Sequence, residues 1–322
     1  MRALQVHAYD GPDALRVVDI EPRPPGSGEV EVRVAGVGVG YFDALLVRGQ
    51  YQIKPPLPFV PGSSLAGVVE RVGDGVTHVR PGDPVAAFTL FGGLAERAIV
   101  GASSCVPLPP SIPLVDAANY FVAYATGLLG LREVGHLREG ETVLILGAAG
   151  TTGSTAIEIA KAMGARVIAC ASTEDKRARC MAAGADLAVD YTKPDWRNQV
   201  KAVSGRGVNV VYDPIGGEQT EVALRLLAPG GRHLIVGFVQ GIARIPSNLP
   251  LLKRCSVHGV NWGGEALENP AIVPPIIATL VEWTLAGKLR TAPDHIYSMD
   301  RAAEAFAAFF DRSSSGKVVL VP

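Results

Sequence analysis

Apolar and polar positions follow different rhythms in different parts of this chain. In the N-terminal third the apolar runs are short and closely spaced. Ala3-Leu4-Gln5-Val6 and residues 15–20 read as strands on either side of the turn Asp10-Gly11-Pro12. Glu29-Val30-Glu31-Val32-Arg33-Val34-Ala35 alternates with period two, the mark of a half-buried strand. Residues 68–72, the turn Pro81-Gly82-Asp83 and residues 84–87 continue the pattern. Many short strands at close spacing predict a β-rich domain, a partial barrel or sandwich.

Near residue 114 the rhythm changes. Residues 115–132 are helical in tone, and then Thr142-Val143-Leu144-Ile145-Leu146 forms a continuous apolar run. Ala156, Ile159, Ala160 and Met163 next fall on one helical face, with Gly164 as a stop. Strands at 166–170, 187–190, 208–212 and 232–236 alternate with helices at 174–183, 194–204 and 218–227. Unbroken apolar strands alternating with helices predict an α/β fold with a parallel sheet covered on both faces.

The tail departs again. Residues 256–261 read as a strand, and 272–286 as a helix broken near Pro274-Pro275. Ala302, Ala305, Phe306 and Phe309 mark a last helix with Asp300 as its N-cap, and 318–321 a closing strand. The closing strand is most easily placed if the C-terminus returns to the β-rich domain. The expected division is 1–118 with 258–322, and 119–257.

Composition narrows the classes. The 322 residues are 48% hydrophobic and 19% charged, which is globular and not disordered. A net charge of −1 argues against nucleic-acid binding through bulk electrostatics. No run approaches the ~20 apolar residues of a membrane span, and the first residues have no signal-peptide run. Cys105, Cys170, Cys180 and Cys255 form no C-x-x-C pair, so no disulfide framework or zinc knuckle is expected. The six histidines share no spacing. A cytoplasmic protein with neither nucleic-acid nor membrane partners is expected.

The apolar run 142–146 ends in Gly147-Ala148-Ala149-Gly150-Thr151-Thr152-Gly153, just where a helix begins. Strand, glycine-bearing turn and helix are the setting of the dinucleotide fingerprint. Gly150 lets the backbone approach a pyrophosphate, Gly153 allows close helix–strand packing, and the helix N-terminus offers free N–H groups. Alanine at 148 stands where the first glycine usually does. At the end of the second strand an NAD site wants a carboxylate for the ribose 2′-OH. The chain has Cys170-Ala171-Ser172-Thr173 there, with Lys176 a turn later. Missing carboxylate, hydroxyls and a lysine fit a 2′-phosphate, hence NADP(H); a solvated surface lysine is the plainer reading of Lys176. Tyr191 can add a phenol.

A mid-chain phosphate loop between a β-rich head and a returning tail resembles the medium-chain dehydrogenase/reductase superfamily, in its zinc-free quinone oxidoreductase (zeta-crystallin-like) branch. Gly11-Pro12-x-x-Leu15, Val37-Gly38-Val39-Gly40-Tyr41-Phe42-Asp43 and Leu57-Pro58-Phe59-Val60-Pro61-Gly62 match its motifs. So do Ala66-Gly67-Val68-Val69, Val72-Gly73-x-Gly75-Val76, Pro81-Gly82-Asp83-Pro84-Val85, Gly184-Ala185-Asp186 and Val211-Tyr212-Asp213. The resemblance implies a Rossmann doubly wound parallel sheet inserted in a β-rich GroES-like catalytic domain, and a homodimer joined at the 256–261 edge strand. It places Thr126 near the nicotinamide ribose, Ala149, Gly150, Thr151, Thr152 and Gly153 at the diphosphate, and Ser172, Lys176 and Tyr191 at the 2′-phosphate. Gly237, Phe238, Val260, Asn261 and Trp262 fall toward the nicotinamide, and Arg312 near the cofactor. Ordinary structural roles remain open for these last residues.

Two departures matter. Where zinc alcohol dehydrogenases carry Gly-His-Glu, this chain reads Gly62-Ser63-Ser64, so no metal site is expected. Gly40 replaces the asparagine usual near the nicotinamide. The implied activity is NADPH-dependent hydride transfer to a small quinone or α,β-unsaturated carbonyl, where a hydroxyl can stabilise the developing oxyanion. Tyr41 and Tyr51 are the candidate donors, with Asp43 as an orienting group; packing is the alternative role for Tyr41, gating for Tyr51. Alternatives are an enoyl reductase of lipid or polyketide assembly, and a low-turnover NADPH-binding structural or redox-sensing protein.

Overall fold

The computed structural model describes residues 1–311 and 313–322. The chain divides into two compact units: residues 1–123, 263–285 and 291–322, and residues 124–262 with 286–290. The sequence reading set its boundaries at 118/119 and 257/258.

The first unit is β-rich. Strands β1 (Arg2–Val6) and β2 (Leu15–Asp19) form an antiparallel ribbon. A seven-stranded sheet runs in the order β14 (His295–Ser298), β15 (Val318–Val321), β3 (Glu29–Val39), β4 (Ser64–Val72), β5 (Pro84–Phe88), β7 (Cys105–Pro107). Strand β6 (Arg97–Gly101) also pairs with β3. β3 has 11 residues and outruns the alternating stretch that predicts it. Its first half pairs with β6, while Val37–Val39 pairs with β15, so the closing strand does return to the β-rich unit. Val32, Val37, Leu46, Leu65, Val85, Phe306 and Leu320 lie in one core.

The second unit holds β8 (Thr142–Ile145), β9 (Arg166–Cys170), β10 (Leu187–Val189), β11 (Val208–Asp213), β12 (Leu227–Ile235) and β13 (Ser256–Gly259). All pairs are parallel, in the order β10-β9-β8-β11-β12-β13. Strand order therefore reverses between β8 and β11, the doubly wound arrangement whose ligands sit beyond the carboxyl ends of the strands at that switch. The inner strands are buried almost throughout, which is why their sequences are unbroken apolar runs.

Four expectations are corrected. The helix Val273–Leu285 is unbroken, because Pro274 and Pro275 fall in its first turn, where no intrahelical N–H is needed. Asp300 is not the N-cap of Ala302–Phe310; a short turn, Met299–Arg301, comes first, Arg301 takes the cap position, and Asp300 pairs with Arg2. The 115–132 helix is Leu114–Val134 and contains wide π-helical turns at Tyr120–Tyr124 and Leu129–Val134. That stretch is also, by length and composition, apolar enough to cross a membrane, contrary to the sequence expectation. The structure buries 72% of its most apolar window, as in a core helix.

Candidate active site

The carboxyl ends of the six parallel strands collect most of the anticipated cofactor residues. β8 leads into a turn and the helix Thr151–Ala162, whose N-cap is Gly150. A Cβ on Gly153 would fall 2.5 Å from the Gly147 carbonyl oxygen and 2.7 Å from Ala148 Cα, so only glycine lets this helix sit so close to the turn. A Cβ on Gly150 would meet nothing nearer than 3.4 Å, so packing within the chain does not require glycine there. Gly150 stands at the place of the second glycine of the dinucleotide fingerprint. Gly147 has φ +55°, and its Cβ would lie 2.5 Å from Ile215 Cδ1. It is the tight-turn glycine, one place before the alanine that the fingerprint template aligns. Its place directly after the buried strand was the available signal.

Thr151 and Thr152 open the helix half-buried. The segment carrying Thr126 packs on the same helix, since a Cβ on neighbouring Gly127 would stand 2.7 Å from Ile159 Cδ1. Next door, β9 and β10 are in register with Cys170 beside Val189. Ser172 follows β9 by two residues and Tyr191 follows β10 by two, both at the carboxyl end of the sheet. Thr173 caps the helix Glu174–Ala182 by accepting from the Lys176 N–H at 3.3 Å, which places Lys176 in the first turn. Glu174 and Asp175 are exposed in that turn, and no carboxylate sits at the end of β9. Asp190, at the end of β10, is engaged by Arg177 at 3.1 Å and by Thr192. The Thr192 hydroxyl beside it, with Arg177 and Lys193, holds its carboxyl below the ordinary range.

Across the switch, Gly237 and Phe238 follow β12, and Phe238 is exposed. The Val236 and Gly237 N–H groups donate to the Asp213 carbonyl at 2.8 and 3.3 Å. Val260 donates to Ile235 at 2.9 Å and packs on Gly130; Asn261 is exposed and Trp262 buried. Arg312 lies outside the described residues.

Asp213 was matched in sequence but given no role. It is 1% exposed at the end of β11. Its Oδ1 accepts from the Ile215 and Gly216 N–H groups, both at 2.9 Å, and its Oδ2 from Thr220 Oγ1 at 2.6 Å and His233 Nε2 at 3.1 Å. Burial works against its charge, but the bonds from His233, Thr220 and Gly216 prevail and hold its carboxyl below the ordinary range. The carboxylate thus fixes the 214–217 turn at the strand-order switch. The signal was an aspartate ending a buried strand before a Pro-Ile-Gly-Gly turn.

The three candidate catalytic residues lie in the first unit. Tyr41 opens the helix Tyr41–Val47, half-buried, its ring edge-on to Phe310 at 6.3 Å. Tyr51 meets Phe42 edge-on at 4.6 Å, and burial pushes its phenol up, so it stays protonated and able to donate. Asp43 is fully buried and accepts from the Gly40 N–H at 3.0 Å and the Ser63 hydroxyl at 3.2 Å. Those partners, not either phenol, occupy it, so it positions the start of the helix. Burial pushes its carboxyl up to about 6, against the Gly40 and Ser63 bonds. Ser64 donates to the Ala118 carbonyl at 2.6 Å. Among the described residues no group of three or more His, Cys, Asp or Glu side chains is arranged to hold a metal.

A GroES-like sheet unit and a doubly wound unit with a glycine-bearing strand–helix turn at its switch define the class of a two-unit, dinucleotide-type oxidoreductase. Family comparisons agree: residues 26–110 match the alcohol dehydrogenase GroES-like domain, and 151–278 the zinc-binding dehydrogenase domain. Quinone oxidoreductase-like protein 2 of Mus musculus is 36% identical over 309 residues, 95% of this chain and 88% of the mouse protein. The quinone oxidoreductase of Rattus norvegicus is 30% identical over 325 residues, covering 100% of this chain and 98% of that one. The solved Escherichia coli quinone oxidoreductase complexed with NADPH superposes with TM-score 0.90 at 26% identity, covering 100% of both chains. The chain belongs to the medium-chain dehydrogenase/reductase superfamily, in its zinc-free quinone oxidoreductase branch, and is an enzyme of that superfamily.

Proposed function

We propose that this protein is an NADPH-dependent reductase of quinones or α,β-unsaturated carbonyls. The observation that carries the reading is the carboxyl end of β9, where the chain offers Ser172 and Lys176 in place of the carboxylate of an NAD site, with Tyr191 just past the end of β10. The room left at Gly150 and the close fit at Gly153 suit a diphosphate on the helix N-terminus. Bound NADPH supplies the hydride. The chain's own part is to bind and orient, and to stabilise charge on the acceptor oxygen. A conjugated acceptor spreads that charge into an enolate or quinol, so one hydrogen-bond donor serves it. Tyr41 and Tyr51 are the donors proposed. Oxidation of a simple alcohol would need a strong proton acceptor or metal ligands, and Gly62-Ser63-Ser64 offers neither imidazole nor carboxylate. The NADPH complex and names of the related quinone oxidoreductases support the same reading.

The reading includes a homodimer in a reducing, cytoplasmic compartment. β13 ends the parallel sheet with one side unpaired among the described strands, and Leu251 and Leu252 nearby are 77% and 73% exposed. All four cysteines are free. A light-scattering mass that stays near 33.7 kDa at every concentration would remove the dimer.

Steady-state NADPH oxidation against a panel of quinones and enals, with ethanol and NADP+ as the reverse control, tests the activity. Turnover with conjugated acceptors and none with ethanol is expected. Tyr41→Phe should lower kcat and kcat/KM together by ~10–1,000-fold. Efficient ethanol oxidation with no acceptor reduced would overturn the reading.

A further inference from the structure

The helix Thr151–Ala162 is buried from Gly153 to Ala160, and one of those positions carries a carboxylate: Glu158, 5% exposed. Such a group costs free energy to bury unless the chain supplies its hydrogen bonds. Here it does. Glu158 Oε2 accepts from the Tyr124 hydroxyl and from the Arg290 N–H, both at 2.8 Å. The Tyr124 hydroxyl also lies 3.1 Å from the Arg290 carbonyl oxygen, and Tyr124 itself is fully buried. All three residues belong to the doubly wound unit. An apolar side chain at 158 would suit a buried helix face as well, so what the polar trio adds is position.

The element it positions is one helical turn. Tyr124 is the N-cap of Ala125–Leu128, a single α-turn between the wide π-turns Tyr120–Tyr124 and Leu129–Val134. Wide turns interrupt the regular hydrogen-bond ladder on both sides, so this turn depends on outside contacts. It packs on Thr151–Ala162, where a Cβ on Gly127 would lie 2.7 Å from Ile159 Cδ1 and 3.7 Å from Ala156 Cα. Apolar contact sets how near two helices lie, but an apolar seam can slip or rotate. A buried hydrogen bond admits one register. The bond from Tyr124 to Glu158, next to Ile159, supplies it. Within the turn, Ala125, Gly127 and Leu128 are buried and Thr126 is half-buried. Thr126 is thus the position left open, and the helix that fixes it starts at Gly150.

We infer that Glu158 is a positioning residue: through the Tyr124 hydroxyl it holds Thr126 in register with the Gly150 end of its own helix, so that the nicotinamide ribose and the diphosphate of one dinucleotide are met together. This rests on the reductase reading above. The test measures calorimetric binding of NADPH and of adenosine 2′,5′-bisphosphate, which has the 2′-phosphate and one phosphate of the diphosphate but no nicotinamide half. The ratio of the two affinities should fall at least ~10-fold in Glu158→Leu and ~3-fold or more in Tyr124→Phe. Glu158→Gln, whose amide oxygen still accepts from both donors, should restore it to within about twofold of wild type. Retained bisphosphate binding shows that a variant is folded, and if Glu158→Leu does not fold, Tyr124→Phe decides. An unchanged ratio in the folded variants, or equal losses for both ligands, overturns the inference and leaves the reductase reading standing. A wild type that binds neither ligand overturns the reductase reading, and the inference with it.

Discussion

Asp213, at the end of β11, accepts a hydrogen bond from His233 on the adjacent β12 at 3.1 Å, and both side chains are sealed from solvent. The same carboxylate receives Thr220 and two backbone N–H groups, so its removal orphans four donors at once. Asp213→Ala should cost ~3–5 kcal/mol in urea denaturation and loosen NADPH binding. The folded-state carboxyl is held below its ordinary range, so its contribution is present above the unfolded pKa and is lost as pH falls through the folded value. The variant should therefore show a flatter acid limb. A loss under ~1 kcal/mol would contradict this account.

Asp43 has the opposite sign. The folded protein keeps its proton up to about pH 6, whereas an ordinary aspartate releases it near 3.8. Stability tied to that proton is fully present below the unfolded value and is lost as pH rises through about 6. Asp43→Asn retains an acceptor for the Gly40 N–H and carries no charge to bury. Relative to wild type, the variant should gain up to ~3 kcal/mol between pH 4 and pH 8. Denaturation midpoints at the two pH values check it, and a constant difference would refute it.

Gly150 and Gly153 should separate folding from binding. Gly153→Ala forces a Cβ against backbone and should lower stability by ~1–3 kcal/mol. Gly150→Ala meets nothing closer than 3.4 Å and should stay within ~0.5 kcal/mol of wild type, while weakening NADPH binding at least ~10-fold. Melting curves and NADPH fluorescence titrations read the two effects apart.

Lys176 should set cofactor preference. A lysine–phosphate contact of ~1.5–3 kcal/mol corresponds to a ~10–150-fold preference for NADPH over NADH. Lys176→Ala should shrink that preference while NADH binding hardly changes. Equal wild-type affinity for the two cofactors would sink the assignment.

The doubly wound unit was legible because strands buried on both faces must be unbroken apolar runs, as at 142–146 and 166–170. Ser172 and Tyr191 could be placed at strand ends for the same reason. Less was legible where local chemistry has two outcomes. Pro274-Pro275 breaks a helix or begins one, depending only on where the first turn falls. Asp43 beside two tyrosines looks like their partner, yet the fold turns it toward Gly40 and Ser63. Asp213 shows its role only when β12 brings His233 alongside, a neighbour 20 residues away.

The insertion of β15 between β14 and β3 carries a consequence for synthesis. Residues 124–262 emerge as one continuous stretch and hold all six strands of the parallel sheet, so that sheet can assemble while the chain is still growing. The β-rich unit cannot. The end of β3, among the first strands made, waits for Val318, Val319 and Leu320 before that flank is paired. Each nascent molecule thus exposes an open edge beside Gly38 until residues 318–320 are translated, and chains stalled or truncated before them should be the ones that aggregate or recruit chaperones.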